Sequence, residues 1–416
     1  MYLIVSDDAL ALNHEGMKES PNLIHLVVSI IAAASCVITA CSAGYYILCL
    51  WSATTFLRKR AAAERARPAA SKILVSILKP LKGTDPEMYE SLRSHCLQDH
   101  PEYEIIFGVS DAADPALQLV ERLRSEFPEK SIRWIVCSQS LGANTKVSNL
   151  AQMLPEAKYD NVLVNDSDIR VPEDYLARVT TPLLDPKIGL VTCLYRGVPS
   201  RTLGSRLESL AISTDFSAGV LAAQTLEGGI RFGLGSTLAF RRSDLMAIGG
   251  FEALVDYLAD DYEIGCRLAV HGLKVELSEV VVETYLPAYT SRQFVDHQIR
   301  WGRTVRDSRP WGYLGLIFTF GLPWALLALT LSLFLGQGVI AGSALLVAVV
   351  GLRASVAWLV GWVALSDRDV FRLLPLLPLR DLVALLIWIA SVAGHTVIWR
   401  GESFTLNEGK LTRIKV

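Results

Sequence analysis

Hydrophobic and polar positions divide the chain into unlike parts. Nearly uncharged apolar runs occupy Ile30–Trp51, Gly312–Gly336, Val339–Leu365 and Leu382–Trp399, each close to the roughly 20 residues that carry a helix across hydrocarbon. Between the first and second runs, from about Ser71 to Arg309, apolar residues recur at helix and strand spacing instead of continuously. There Lys72–Pro80 reads as a buried strand closed by Pro80, Glu87–Gln98 as a helix and Glu104–Val109 as a strand. Pro115–Phe127 follows as an amphipathic helix, Ile132–Val136 as a strand, Val147–Leu154 as a helix, Asn161–Val164 as a short strand and Ser236–Phe240 as another. Alternation of this kind predicts an α/β domain on a mostly parallel, doubly wound sheet, flanked by transmembrane α-helices. The expected divisions are an N-terminal segment (1–27), a membrane anchor (28–57), a charged linker (58–70), the α/β domain (71–309), about three transmembrane helices (310–400) and a tail (401–416).

Composition sharpens this picture. Of 416 residues, 51% are hydrophobic and 20% charged, so part of the chain belongs in lipid. The first apolar run starts late, lacks a basic segment before it and ends in Arg58-Lys59-Arg60 without a small-residue cleavage site, so it reads as a signal anchor. Asp7, Asp8, Glu15 and Glu19 precede it and the basic cluster follows it, which places the middle domain in the cytosol. The seven cysteines include no C-x-x-C pair, and Cys36, Cys41 and Cys49 lie in the first apolar run, which excludes a disulfide framework. A net charge of −2 excludes general electrostatic binding of nucleic acid. Four complete spans would leave Arg400, Lys410, Arg413 and Lys415 outside, against the charge rule. Either one late segment is interfacial or re-entrant, or the tail is tolerated outside, and Arg353 and the Pro375/Pro378 pair mark the weakest part of a four-span scheme.

Ligands of an open α/β sheet gather beyond the carboxyl ends of its strands, and acidic residues fall there. Asp111 follows one strand, Asp166-Ser167-Asp168 follows another, and Asp260-Asp261 opens a helix. An Asp-x-Asp at a strand end offers two hard oxygen donors to Mg²⁺ or Mn²⁺, which neutralises a leaving diphosphate; taken alone, the same triplet is ordinary turn chemistry. Gly142-Ala-Asn-Thr-Lys146 places backbone N–H groups and a lysine where a phosphate could sit, although a plain helix cap at Asn144 or Thr145 explains it equally. Asp260 and Asp261 are either dipole-stabilising residues of a helix N-terminus or include a general base for an attacking hydroxyl. His297, Arg300 and Trp301 share a helix face, and Arg303, Arg306 and Arg309 extend a basic strip toward the next apolar run. Membrane anchoring explains the later arginines, whereas stacking on an acceptor or contact with a diphosphate explains the His and Trp. Gly228–Ser236 is too loosely spaced for a dinucleotide fingerprint and reads as a flexible wall near the acceptor. His95, Cys96 and His100 match no closed zinc set and read as a helix end.

Taken in order, VSD (Asp111), GANTK (Lys146), NDSD (Asp166, Asp168), GSTLAFRR, LADDY (Asp261) and HQIRW (His297–Trp301) resemble the family 2/family 21 glycosyltransferases. The set is similar to that of the ceramide glucosyltransferase group over about Ser71–Arg306, and CLYRG, LADDYEIG and HQIRWGRTVR look closest to the bacterial branch associated with hopanoid lipids. The resemblance implies a GT-A fold, a Rossmann-like domain in which Asp111 contacts the uracil or ribose, Lys146 lies near the nucleotide, and Asp166 and Asp168 serve the sugar nucleotide and a divalent metal, Mn²⁺ or Mg²⁺. It further implies that Asp261 is the catalytic base and that Arg300 with Trp301 forms the conserved end of the last motif; Asp260, His297, Arg300 and Trp301 are expected at the acceptor or diphosphate. His297 stands where the family pattern has Gln or Arg. The expected reaction is inverting transfer of a hexose, glucose or N-acetylglucosamine, from a UDP-sugar to a hydroxyl of a membrane lipid, ceramide or hopanoid polyol. The expected setting is the bilayer, a bacterial inner membrane by the same resemblance. A processive polysaccharide synthase and a catalytically silent membrane scaffold are the alternatives.

Overall fold

A computed structural model of the chain describes residues 20–65 and 73–414. The acidic residues Asp7, Asp8, Glu15 and Glu19, most of the proline-containing part of the linker, the first residue of the expected Lys72–Pro80 strand and Lys415 lie outside the described residues.

The strand and helix alternation is present. β1 (Val75–Pro80), β2 (Tyr103–Val109), β3 (Ser131–Val136) and β4 (Asn161–Val164) alternate with helices Met88–Cys96, Ala116–Glu126 and Thr145–Met153. Pairing is parallel between β1 and β2, β2 and β3, and β1 and β4. β1 is buried on both faces through Val75, Ile77 and Leu78, which is why it reads as a nearly continuous apolar run. Beyond β4 the sheet is mixed. β7 (Leu238–Arg241) runs antiparallel between β4 and β6 (Ile188–Val198), β8 (Lys274–Tyr285) is parallel to β6, and the two-residue β5 (Ile169–Arg170) closes the edge, giving the order β3-β2-β1-β4-β7-β6-β8-β5. The mostly parallel expectation therefore holds with an antiparallel insertion, which a four-residue strand does not announce by itself.

The membrane-facing part centres on helix Ser20–Arg65, whose 46 residues extend roughly 70 Å at 1.5 Å per residue. That is more than twice the hydrocarbon thickness, so the helix has two jobs. Its C-terminal portion joins the domain core through Cys49, Ala53 and Phe56, Ser52 accepts a hydrogen bond from Thr225, and Lys59 pairs with Glu276. Its N-terminal portion packs with helices Gly321–Leu335 and Val339–Val356. Among the described residues three helices are long and apolar enough to cross a bilayer, and a fourth span results if the bent pair Pro310–Thr319 and Gly321–Leu335, inclined at 53°, counts as one.

Two C-terminal expectations are corrected. The run Leu382–Trp399 is not one helix: the helix beginning at Leu377 ends at Val392, Gly394 takes a positive φ of 79°, and Thr396–Trp399 becomes β9. Arg303 and Arg306, expected as a basic strip anchoring the next span, satisfy the carbonyls at that break. Arg306 donates to Ser391 O at 2.8 Å and Gly394 O at 2.9 Å, and Arg303 donates to Ala393 O at 2.7 Å and to Thr396 O. Cations there meet orphan helix carbonyls and the negative end of the helix dipole. Nor do residues 401–416 form a plain tail. β10 (Glu402–Asn407) and β11 (Lys410–Arg413) extend β9 into a three-stranded antiparallel sheet. Its apolar face, Val397, Phe404, Leu406 and Leu411, closes on Leu258, and Leu411 N–H donates to Asp256 O at 2.7 Å.

Candidate active site

The acidic triplet sits where β4 ends, in the middle of the sheet, and its backbone is fixed from below. Lys79 of β1 is wholly buried and donates from Nζ to Asp166 O at 2.8 Å; burial pushes its pKa down to about 7, against the pull of Asp168 and Asp166. The preceding Asn165 donates from Nδ2 to His95 Nε2 at 3.0 Å, while His95 Nδ1 lies 3.0 Å from Ser91 O. A carbonyl on one side and an amide donor on the other require the neutral Nδ1–H tautomer, consistent with a pKa driven well below its ordinary value by burial and by Lys79. His95 is therefore a buried support for the triplet, in keeping with its reading as other than a zinc ligand. Ser167 donates to Asp85 Oδ2 at 2.6 Å and Thr284 donates to Asp168 Oδ2 at 2.5 Å. Burial and then Asp166 raise the Asp168 pKa to about 6.

Lys146 is not a solvated lysine. Its Nζ lies 2.9 Å from Asp166 Oδ1 and 3.1 Å from Asp260 Oδ2, with the lysine side chain 18% exposed, Asp166 45% and Asp260 6%. Burial opposes its charge, but Asp166, Asp260 and Asp261 outweigh that and hold the ammonium above its ordinary pKa. The GAN residues before it are tied down. Ala143 N–H donates to Asp256 Oδ1 at 2.9 Å, Asn144 N–H to Val255 O at 2.7 Å, and the Asn144 side chain caps the helix by accepting from Val147 N–H at 3.2 Å. Backbone donors expected to face a phosphate are thus used within the protein, and the simple N-cap is realised.

Asp260 pairs with Lys146, whereas Asp261 faces the Gly235 backbone. Asp261 accepts from Gly235 N–H at 2.7 Å and Tyr262 N–H at 2.8 Å, yet burial and the adjacent Asp260 raise its pKa to about 6. A methyl group built on Gly235 would lie 3.0 Å from Asp166 Oδ2 and 3.4 Å from Asp261 Oδ2, so the two carboxylates meet across one strip of backbone. Gly228–Ser236 is consequently more than a flexible wall: it orients Asp261, and its Gly233 packs against Gly265 of the Asp260–Val270 helix. Asp111 lies at the carboxyl end of β2, exposed, accepting from Ala113 N–H at 2.9 Å. Two strand spacings separate β2 from β4 in the sheet, about 10 Å.

A second group converges from helix Ser291–Ser308, which is started by a capping box of Thr290 and Gln293. An aromatic row runs Tyr195, Phe216, Trp301, His297, Tyr289, with successive ring centroids 5.2, 6.2, 5.1 and 5.4 Å apart. His297 Nδ1 is 2.9 Å from the Tyr289 hydroxyl, and burial with Arg300 nearby lowers its pKa to about 3, so it is neutral. Arg300 makes no ion pair among the described residues; burial lowers its pKa, and Tyr289, Glu208 and Asp166 pull the other way. Sequence reasoning missed Lys79, Tyr195, Glu208 and Tyr289. A lysine inside an apolar strand was the only available signal, and the others look ordinary until the fold assembles them.

Among the described residues no three His, Cys, Asp or Glu side chains form a preformed metal cage. The donor set nevertheless fits a divalent ion bound together with a diphosphate. Asp166 and Asp168 offer two hard oxygen donors at one strand end, with burial and then Asp166 raising the proton affinity of Asp168, and the remaining positions would belong to phosphate oxygens.

This mixed sheet, with carboxylates gathered at the ends of β4 and before the Asp260–Val270 helix, defines a GT-A glycosyltransferase domain joined to membrane-spanning helices. In its fold the chain is similar to the mannosyltransferase PcManGT from Pyrobaculum calidifontis, solved in complex with GDP-Man and Mn²⁺, with a TM-score of 0.52 and 20% identity over 82% of this chain and 99% of that one. The profile of Glycosyl transferase family 21 matches residues 34–412, and the chain belongs to that family. It is 27% identical over 228 residues to ceramide glucosyltransferase 3 of Caenorhabditis elegans, covering 55% of this chain and 49% of the relative. Ceramide glucosyltransferase 1 of the same organism is 24% identical over 354 residues, 80% of this chain and 72% of the relative. The match thus spans about half the length of the first relative.

Proposed function

We propose that this protein is a membrane-bound inverting hexosyltransferase that moves glucose or N-acetylglucosamine from a UDP-sugar to a hydroxyl of a neutral membrane lipid, a ceramide or a hopanoid polyol. The observation that carries the reading is the meeting of Asp166 and Asp261 at the Gly235 backbone, which sets a carboxylate of raised pKa beside the acidic strand end. In the proposed step Asp261 takes the proton of the lipid hydroxyl, the hydroxyl oxygen bonds to the anomeric carbon from the face opposite the nucleotide, and the bond to UDP breaks with its electron pair leaving on the diphosphate. Asp166 and Asp168 would hold Mn²⁺ or Mg²⁺, which neutralises diphosphate charge when bound. Arg300, lacking an ion-pair partner among the described residues, receives the rest of that charge, Asp111 binds the nucleoside, and Trp301 with His297 lines the acceptor side. Asp260 acts through Lys146 by fixing it against Asp166.

The proposed topology keeps the domain cytosolic, at a bacterial inner membrane, with Gly321–Leu335 and Val339–Ala364 as the two C-terminal spans. Val370–Val392 then lies along the interface despite its apolar length. One end is held to the domain by Ser213 donating to Asp367 Oδ2 at 2.6 Å and by Leu210 packing on Leu373 and Leu377. The other end is held by Arg303 and Arg306. A helix with both ends on one side of the bilayer does not cross it, and the β9–β11 sheet returns to the domain without breaking the charge rule.

Membranes containing the protein, incubated with UDP-glucose or UDP-N-acetylglucosamine with and without Mn²⁺ or Mg²⁺, test the reading by mass spectrometry of extracted lipids. A lipid heavier by one hexose or one N-acetylhexosamine is expected. A ladder of long glycans, or donor binding without any glycolipid, refutes it.

A further inference from the structure

Resting on the proposed lipid-hydroxyl transfer, we infer that Glu208, with Tyr289 and His297, forms an acceptor head-group subsite that binds a second hydrogen-bond donor beside the hydroxyl being glycosylated. Glu208 is thereby the residue that separates an acceptor with a second donor from a simple mono-alcohol or a lipid phosphate.

Glu208 lies in helix Leu203–Ala211, started by Thr202, whose side chain accepts from Ser205 N–H. Its side chain is 2% exposed. A carboxylate so buried normally has a bidentate cation or several donors. Here Oε1 accepts only a long hydrogen bond, 3.4 Å, from the Tyr289 hydroxyl, His297 Nε2 stands 3.8 Å from Oε1, and Oε2 has no partner. His297 Nε2 is also buried without a hydrogen bond among the described residues. Glu208 Oε2 and His297 Nε2 thus stand in one place with no hydrogen bond among the described residues, an arrangement that a polar ligand completes. Burial raises the Glu208 pKa to about 7, with Arg300 pulling the other way.

Its position matches an acceptor subsite. Tyr195 ends the aromatic row that begins with Tyr289 and His297 beside Glu208; its hydroxyl makes no hydrogen bond among the described residues, and it feels the charges of Asp261, Glu208, Asp166 and Asp168. Arg300 feels the charges of both Glu208 and Asp166. On the other side, Leu210, two residues along the same helix, packs against Leu373 and Leu377 of the segment placed at the membrane interface. A lipid head entering from the bilayer would pass Glu208 before reaching Asp261. The aromatic row from Tyr289 to Tyr195 lines that path. A carboxylate accepts hydrogen bonds from hydroxyl or amide N–H groups but repels an anionic head.

The test compares acceptor pairs differing by one donor in the full-length protein: a long-chain N-acyl amino-1,3-diol against its 3-deoxy analogue, and a long-chain 1,2-diol against the mono-alcohol. Wild type is expected to prefer the two-donor member of one pair by roughly 10- to 100-fold in kcat/KM. Glu208→Ala should erase that preference while leaving the KM for UDP-sugar and its binding unchanged, and Glu208→Gln, still an acceptor, should restore part of it. Undiminished preference in Glu208→Ala, or loss of UDP-sugar affinity in step with acceptor affinity, overturns the subsite. Wild-type protein that binds UDP-sugar but glycosylates no lipid overturns the proposed function, and the subsite with it.

Discussion

Replacing Lys146 by Met would keep most of the side-chain volume and remove the cation that links Asp166 to Asp260. The two partners respond differently. Asp166 is 45% exposed, so water screens its loss and the contribution there is at most about 1 kcal/mol. Asp260 is 6% exposed and would be stranded, and breaking a buried pair costs about 3–5 kcal/mol. For a domain of this size that corresponds to a fall in melting temperature of roughly 5–10 °C. The folded pKa of Asp260 is already raised, by burial against the pull of Lys146; without the lysine it rises further. A carboxyl whose folded pKa exceeds its unfolded value contributes stability below the unfolded pKa that is lost as pH climbs through the folded pKa. Lys146→Met protein should therefore melt higher at pH 5 than at pH 8, and by a wider margin than wild type. Adding Asp260→Asn should return most of the lost stability, because it removes the stranded charge. Thermal melts of the detergent-solubilised single and double variants across that pH range measure all of this. A Lys146→Met protein as stable as wild type, or a double variant no better than the single one, refutes the electrostatic account of the Lys146 bridge.

Further expectations concern the site and the membrane. Gly235→Ala places a methyl 3.0 Å from Asp166 Oδ2, and transfer should fall at least tenfold with little change in melting temperature, as steady-state kinetics beside a melt would reveal. Burial and Asp260 raise the pKa of Asp261 to about 6, and a base works only when deprotonated, so kcat/KM should rise with pH through a limb near pH 6 and flatten above it; a flat profile from pH 5 to 8 excludes this base. A cysteine introduced at Asn407 in the β10–β11 hairpin should react with a membrane-impermeant maleimide only from the side that exposes the catalytic domain, and labelling from the opposite side contradicts the interfacial placement of Val370–Val392.

How much of this was legible in the sequence depends on range. β2–β4 and the three helices were visible within a residue or two, because each is a local periodic pattern; β1, apolar on both faces, was visible too but begins at Val75, three residues after the expected Lys72. The strand-end positions of Asp111, Asp166 and Asp168, and the helix-start position of Asp260 and Asp261, followed from the same local rhythm. What Lys146 does was not legible, since its two partners lie on other elements and only the fold brings them together. The same holds for Glu208, which sits in an unremarkable helical stretch, RLESLA, until Tyr289 and His297 arrive from distant elements. The last apolar run misled for a related reason: hydropathy does not register that Gly394, Arg303 and Arg306 end the helix at Val392 and release the chain into β9.

The central claim is that Asp261 removes the proton from a lipid hydroxyl during sugar transfer, and Asp261→Asn protein tests it most directly. Asn keeps the size of the side chain, so UDP-sugar affinity, measured by calorimetry with Mn²⁺ present, should stay within a few-fold of wild type. Single-turnover transfer of labelled sugar to lipid should drop by roughly 10²–10⁴. Near-normal transfer by a variant that still binds UDP-sugar would contradict the account.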